Sequence, residues 1–189
     1  MNIVVCCSGG GGNFKAILDA QEKSKFEVAL LIVDRVCGAL DIAQEFGIPA
    51  VCVDPKKNKH DFAHDFESQI PASTDLIVLA GFIPIIPASV CVKWDKKIIN
   101  THPSLLPHYG GKGMIGVKVQ EAVMAAGEKV AGCTVQYVSH EIDAGEIIAQ
   151  ASVLVDYQET PWQLGGRIFK EENRLLVEVI QELCKCDSV

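Results

Sequence analysis

Short apolar runs alternate along the chain with longer stretches whose apolar residues recur at helical spacing. Asn2–Cys7 and Phe26–Val33 are rich in β-branched residues and read as strands. Ala50–Val53, Leu76–Ala80 and Lys97–Asn100 read as three more, the second of them wholly apolar. Helical patterns fill the intervals over Asn13–Gln21, Ala39–Phe46 and His60–Gln69, and Gly47 supplies a stop for the second. Further on, Val117–Ala126 reads as a helix, Val130–Val138 and Ile147–Val155 as long strands, and Thr160–Leu183 as a closing helix.

Alternating strands and helices imply a parallel sheet with helices on both faces. The segment Ser139–Glu146 is too short for a crossover helix, so the two late strands are expected to pair antiparallel. The expected fold class is α/β: a Rossmann-type, mostly parallel sheet, helices on both faces, antiparallel strands late in the chain. No repeat, low-complexity stretch or linker divides it, and residues 1–189 are expected to form one domain. The longest apolar stretch, Leu76 to Val92, is broken by Gly81, Pro84, Pro87 and Ser89, which favours a buried strand plus loop over a membrane span. Met1 leads into a strand without a basic n-region, so no signal peptide is expected.

Composition adds limits rather than answers. With 49% hydrophobic and 22% charged residues the chain is globular. A net charge of −7 argues against non-specific nucleic-acid binding, which depends on Lys and Arg neutralising phosphates. It leaves room for a small anion held at a local site. The eight cysteines show neither a C-x-x-C pair nor a Cys/His cluster with zinc spacing. They are expected to be reduced thiols of a cytoplasmic protein. Cys6, Cys7, Cys52, Cys91 and Cys133 lie in apolar runs as small core residues, and Cys184 and Cys186 are expected to be exposed.

Two segments carry candidate chemistry. Ser8-Gly9-Gly10-Gly11-Gly12-Asn13 joins the first strand to the first helix. Its glycines let a ligand approach backbone N–H groups, and the helix start adds unpaired donors and the positive end of a dipole. Asn13 is placed to cap the helix or to donate to a ligand. A phosphate suits such a loop. A dinucleotide fingerprint does not fit, because G-x-G-x-x-G counted from Gly9 or Gly10 calls for glycine at Phe14 or Lys15, and the G-K-[ST] of a P-loop is missing. A merely permissive strand–helix turn is the plainer alternative.

The second is Asn100-Thr101-His102-Pro103-Ser104-Leu105-Leu106-Pro107, followed about forty residues later by Glu141-Ile142-Asp143-Ala144-Gly145. Asn100, His102 and Asp143 are expected on loops at strand ends, where open α/β sheets bind ligands. An amide can donate to an oxyanion, an imidazole can carry a proton near neutral pH, and a carboxylate can orient that imidazole. Together they suit transfer of an acyl or formyl group to an amine. Taken singly, Asn100 reads equally as a turn residue, His102 as a satisfied half-buried histidine and Asp143 as a turn acid. His60 and His64, four apart on a helix, lack a third ligand, so no metal is expected. His108 and His140 are candidates for the rim of the site.

These segments resemble those of the phosphoribosylglycinamide formyltransferases, small folate-dependent enzymes of purine synthesis. The resemblance runs through Ser8–Ala20, Leu79–Phe82, Asn100–Pro107, Gly110–Gly116, Glu141–Gln150 and Arg167–Leu176. It implies a formyltransferase-like fold with a phosphate-binding N-terminal part and a catalytic, folate-binding C-terminal part. It also implies formyl transfer from 10-formyltetrahydrofolate, a co-substrate, to the amine of phosphoribosylglycinamide. Asn100, His102 and Asp143 would be catalytic. Gly11, Gly12 and Asn13 would hold the phosphate, with Glu172 on the ribose and amine side. Leu79, Phe82, Ile83 and Ile85, with His140, Glu141 and Ile142, would line the folate pocket. The implied partners are these two small molecules, with no nucleic acid and no membrane, the protein acting as monomer or homodimer. The chain departs from the family pattern at Gly12 (usually Ser), Pro84 (longer and often basic), Ile115 (often Tyr), Glu146 (often Pro) and Asn173 (often His). Competing readings are an amino-sugar or methionyl-tRNA formyltransferase, a formyltetrahydrofolate hydrolase, and a noncatalytic phosphate-binding module. Length and charge argue against both the amino-sugar and the methionyl-tRNA enzyme, and the Asn100/His102/Asp143 set argues against the last.

Overall fold

The computed structural model describes residues 1–57 and 61–186. Its strands are β1 (Asn2–Cys7), β2 (Glu27–Val33), β3 (Ala50–Cys52), β4 (Leu76–Leu79), β5 (Ile98–His102), β6 (Val130–Tyr137) and β7 (Ile147–Leu154). They form one sheet in the order β3-β2-β1-β4-β5-β6-β7. The first five run parallel, β6 pairs antiparallel with β5, and β7 antiparallel with β6. The helices are α1 (Gly12–Gln21), α2 (Ala39–Phe46), α3 (Phe62–Gln69), α4 (Ala88–Lys93), α5 (Val117–Ala125) and α6 (Pro161–Cys186).

Strand parity divides the core. Ile3, Val5 and Cys7 of β1 pack on one face with Phe14 and Ile17 of α1 and Leu176 of α6. Val4 and Cys6 pack on the other with Phe66 of α3 and Val90 of α4. Because both faces are covered, the central strands are apolar at every position rather than alternately.

Several expectations change. β5 continues through His102, so Asn100 and His102 are strand residues, not loop residues. The cause is pairing: Asn100 lies opposite Gln136 and His102 opposite Thr134 of β6, a neighbour that local pattern does not reveal. The segment after β4 is not only loop, since Pro87 introduces the short helix α4. Cys184 is buried, its sulfur 3.9 Å from that of Met1, and Cys52 is exposed on the edge strand β3. The helix expected from His60 begins at Phe62, and His60 lies outside the described residues.

The chain leaves β1 outward through β2 and β3, then returns to β4 on the opposite side of β1. Such a reversal opens a crevice beyond the carboxyl ends of the two strands. Here its floor is tied together: Ser8 N donates to the Gly81 carbonyl at 3.0 Å, and Ile83 N donates to Ser8 Oγ at 2.8 Å.

Candidate active site

A cleft of about 790 Å³ lies over the carboxyl ends of β1, β4 and β5, walled by residues 138–145 and the first half of α6. At one end is the glycine loop. Gly11 is the N-cap of α1 in the left-handed region (φ 77°), with no side-chain cap. The first amides of α1 therefore point out without a side-chain acceptor, as an anion site requires. Gly12 opens the helix. A Cβ on it would stand 2.5 Å from Cζ of Phe169, so the ring of α6 occupies the volume that a side chain here would need.

Asn13 does not cap. It is buried, and its Nδ2 donates to Glu172 Oε1 at 2.6 Å, which turns the side chain toward α6 and away from a cap. Burial pushes the Glu172 carboxyl above its usual range. The Asn13 amide, and the Thr101 hydroxyl close by but short of a full hydrogen bond, hold it partly down. Thr101 shares the parity of Ile99 and so faces α6.

At the centre, Asn100 and His102 share a face of the sheet with their cross-strand partners Gln136 and Thr134. His102 is buried, with Nε2 2.9 Å from the Tyr109 carbonyl. A carbonyl only accepts, so Nε2 carries the hydrogen and Nδ1 is the nitrogen left to gain or lose a proton. Nδ1 faces Asp143 Oδ2 at 3.7 Å, within ion-pair range but longer than a hydrogen bond. Asp143 Oδ2 accepts from Gly111 N at 2.8 Å, and Oδ1 from Gln136 Nε2 at 3.4 Å. Asp143 itself sits at φ 54°, a conformation acidic and amide side chains tolerate better than most. Two residues on, Gly145 packs where any Cβ would run into the Tyr137 carbonyl, which accounts for the Asp-Ala-Gly turn. The Asn100 amide has no hydrogen bond among the described residues and lines the cleft.

The loop after His102 is held from several sides. Ser104 Oγ donates to the His108 carbonyl (2.6 Å) and Gln120 Nε2 to the Pro103 carbonyl (2.9 Å). Thr134 Oγ1 donates to the Ser104 carbonyl (2.6 Å) and accepts from Leu106 N and Gln150 Nε2. The Leu106–Pro107 peptide is cis.

The far wall is apolar. Leu79, Phe82 and Ile86 are buried beneath it, while Ile83 (47% exposed), Ile85 (61%) and Ile142 (40%) present accessible surface. His140 and Glu141 stand at the rim, 3.8 Å apart and mostly exposed. His108 is not part of the lining; its ring lies tilted at 48° to that of Tyr109, 6.5 Å away. Ile115, Trp162 and Phe169 complete the rim as exposed apolar side chains. Among the described residues, no group of three or more His, Cys, Asp or Glu side chains is placed to hold a metal ion. Nor is any helix among them long and apolar enough to cross a membrane. Burial pushes the Cys7 and Cys133 thiols up to about 12, which keeps them out of nucleophilic chemistry at neutral pH.

Apart from His108, the structure thus gathers the expected site residues around one cleft. It adds Tyr109, Gly111, Thr134 and Gln136 as supports of the central groups, which sequence reasoning missed. For the last two a signal existed: Thr134 and Gln136 are polar positions alternating with Cys133 and Val135 in an otherwise apolar strand.

The chain is similar to known proteins over nearly its whole length. A family model described as "Formyl transferase" matches residues 1–180. The phosphoribosylglycinamide formyltransferase of Bacillus subtilis is 35% identical over 185 residues, covering 95% of this chain and 92% of the relative. The chloroplastic phosphoribosylglycinamide formyltransferase of Arabidopsis thaliana is 36% identical over 191 residues, of whose length the chain spans 65%. A crystal structure of phosphoribosylglycinamide formyltransferase from Anaplasma phagocytophilum superposes with a TM-score of 0.88 at 35% identity, over 98% of this chain and 87% of that one. On a match over residues 1–180 and this agreement of fold, the chain belongs to the formyl transferase family, among the phosphoribosylglycinamide formyltransferases.

Proposed function

We propose that the protein transfers the formyl group of 10-formyltetrahydrofolate to the amine of phosphoribosylglycinamide. The observation that carries this reading is contiguity. One cleft holds an uncapped helix start at one end, a His102–Asp143 pair beside the free amide of Asn100 at its centre, and an apolar wall at the other. A phosphorylated acceptor and a largely apolar donor would meet over the central pair.

The backbone N–H groups of Gly11, Gly12 and Asn13 bind the phosphate, and Glu172 accepts from the ribose. The folate ring lies against Leu79, Phe82, Ile83 and Ile85, with His140, Glu141 and Ile142 along its edge. The amine lone pair attacks the formyl carbon as the carbonyl electron pair moves onto oxygen. Asn100 and protonated His102 donate to that oxyanion, the kind of contact whose loss costs about 10²–10³ in rate. The bond from carbon to the folate nitrogen then breaks. One proton passes in net from the amine to that nitrogen, with Asp143 accepting and returning it. Free thiols at Cys6, Cys7 and Cys133 accord with the reducing cytoplasm.

Replacing His102 tests the reading. His102→Ala should keep nucleotide binding, measured by calorimetry, while turnover falls about 10²–10⁴-fold. Undiminished turnover in a folded variant would remove His102 from the chemistry and the reading with it.

A further inference from the structure

Gln136 is the buried polar side chain at this centre that the mechanism above leaves without a task. It is 2% exposed, sits on β6 directly opposite Asn100, and lines the cleft. Its Oε1 is fully buried and has no hydrogen-bond partner. A buried, unsatisfied carbonyl loses its hydration without a replacement hydrogen bond, so the position calls for a reason other than stability. The amide's orientation follows from its neighbour. The carboxylate of Asp143 can only accept, so the NH₂ group faces it, at 3.4 Å from Oδ1, and the carbonyl is turned to the side that offers no donor.

The groups facing Asp143 come from four places. Gly111 N–H fixes Oδ2 from the loop before α5, and His102 Nδ1 faces the same oxygen from β5. Gln136 faces Oδ1 from β6. The fourth is the chain around Asp143 itself, held at φ 54°. With Oδ2 the atom that meets the imidazole, rotation of the carboxyl group about its last bond exchanges the two oxygens and shifts that contact. Gly111 alone gives one point of restraint. Gln136 gives the second, on the opposite oxygen, from a strand rather than a loop.

We propose that Gln136 is a positioning residue: its side-chain N–H fixes the rotation of the Asp143 carboxylate against His102, and its orphaned carbonyl is the stability cost of that task. The inference rests on the formyl-transfer reading above and acts through Asp143 without touching substrate. It separates stability from turnover, because a shape-conserving apolar replacement removes the orphan and the clamp together.

The test compares wild type, Gln136→Leu and Gln136→Glu in formyl transfer from 10-formyltetrahydrofolate to phosphoribosylglycinamide, with thermal unfolding in parallel. For Gln136→Leu the melting temperature should hold or rise, KM for the nucleotide should stay within about threefold, and kcat should fall about 10- to 100-fold. Gln136→Glu places a second carboxyl beside Asp143. Its deficit should be largest at alkaline pH and shrink as pH falls, since one shared proton restores a donor to Oδ1. A kcat that is unchanged in Gln136→Leu, or that falls only in step with a lowered melting temperature, overturns the proposal. So does a Gln136→Glu deficit independent of pH. An inactive wild type would instead count against the formyl-transfer reading, so the two failures are distinct.

Discussion

Gly12 opens α1 directly against Phe169 of α6, and that neighbour accounts for a glycine there. A Cβ built there meets Phe169 Cζ at 2.5 Å and Cε1 at 3.0 Å. Comfortable carbon–carbon contacts lie at about 3.5–4.0 Å, so the ring edge must retreat by about 1–1.5 Å. The ring is 41% exposed and has a route outward. A Phe buries roughly 150–250 Å² when fully covered, so about 90–150 Å² is at stake here, an upper limit of about 2–4 kcal/mol at ~25 cal/mol per Å². Helix propensity returns roughly 0.5–1 kcal/mol for alanine over glycine. Gly12→Ala should therefore cost about 1–3 kcal/mol, within the usual range for overpacking. In a Phe169→Ala background the same change should be neutral or stabilising. Urea unfolding of the four proteins, followed by far-UV circular dichroism, yields the coupling directly. Equal cost of Gly12→Ala in both backgrounds would refute the steric account.

Other substitutions probe the remaining parts. Gly10 has open space around its would-be Cβ, so Gly10→Val should leave the melting temperature nearly unchanged while weakening nucleotide binding at least tenfold; equal weakening of folate binding would show that the loop is not the phosphate site. Asp143→Asn removes the negative charge facing His102 Nδ1 while keeping the side chain's shape, so kcat should drop by about 10²-fold with KM little changed, measured in steady-state assays. Burial raises the Glu172 carboxyl above its ordinary range, so between its unfolded and folded values the folded state holds more protons and stability falls as pH rises. Glu172→Gln removes that slope, and the difference in melting temperature should move in the variant's favour from pH 4 toward pH 7; parallel curves would contradict the burial argument.

Most of the fold was legible because its signals are local. Asn2–Cys7 and Ala39–Phe46 match their expected bounds, since an apolar run between turns and a stop at Gly47 need no tertiary context. The antiparallel pairing of β6 and β7 followed from the length of the segment between them. The extension of β5 to His102 was not legible, because it depends on β6 arriving alongside from about thirty residues away. Asn13 shows the same limit. Its position suggested a cap, but Glu172, 159 residues later, offers a buried carboxylate that takes its amide. Asn100, His102 and Asp143 could be named from motif and chemistry. Their supports, the Tyr109 carbonyl, the Gly111 amide and Gln136, are backbone atoms or one polar side chain in a strand, and carry little sequence signal.

The most direct measurement offers the purified protein 10-formyltetrahydrofolate with phosphoribosylglycinamide, water alone, or methionyl-tRNA as acceptor, and quantifies tetrahydrofolate and formylated product by chromatography. The account predicts equimolar tetrahydrofolate and formylated nucleotide with the first acceptor, and neither product above background with the others. Tetrahydrofolate released at the same rate with water alone, or formyl carried only by the tRNA, would contradict it.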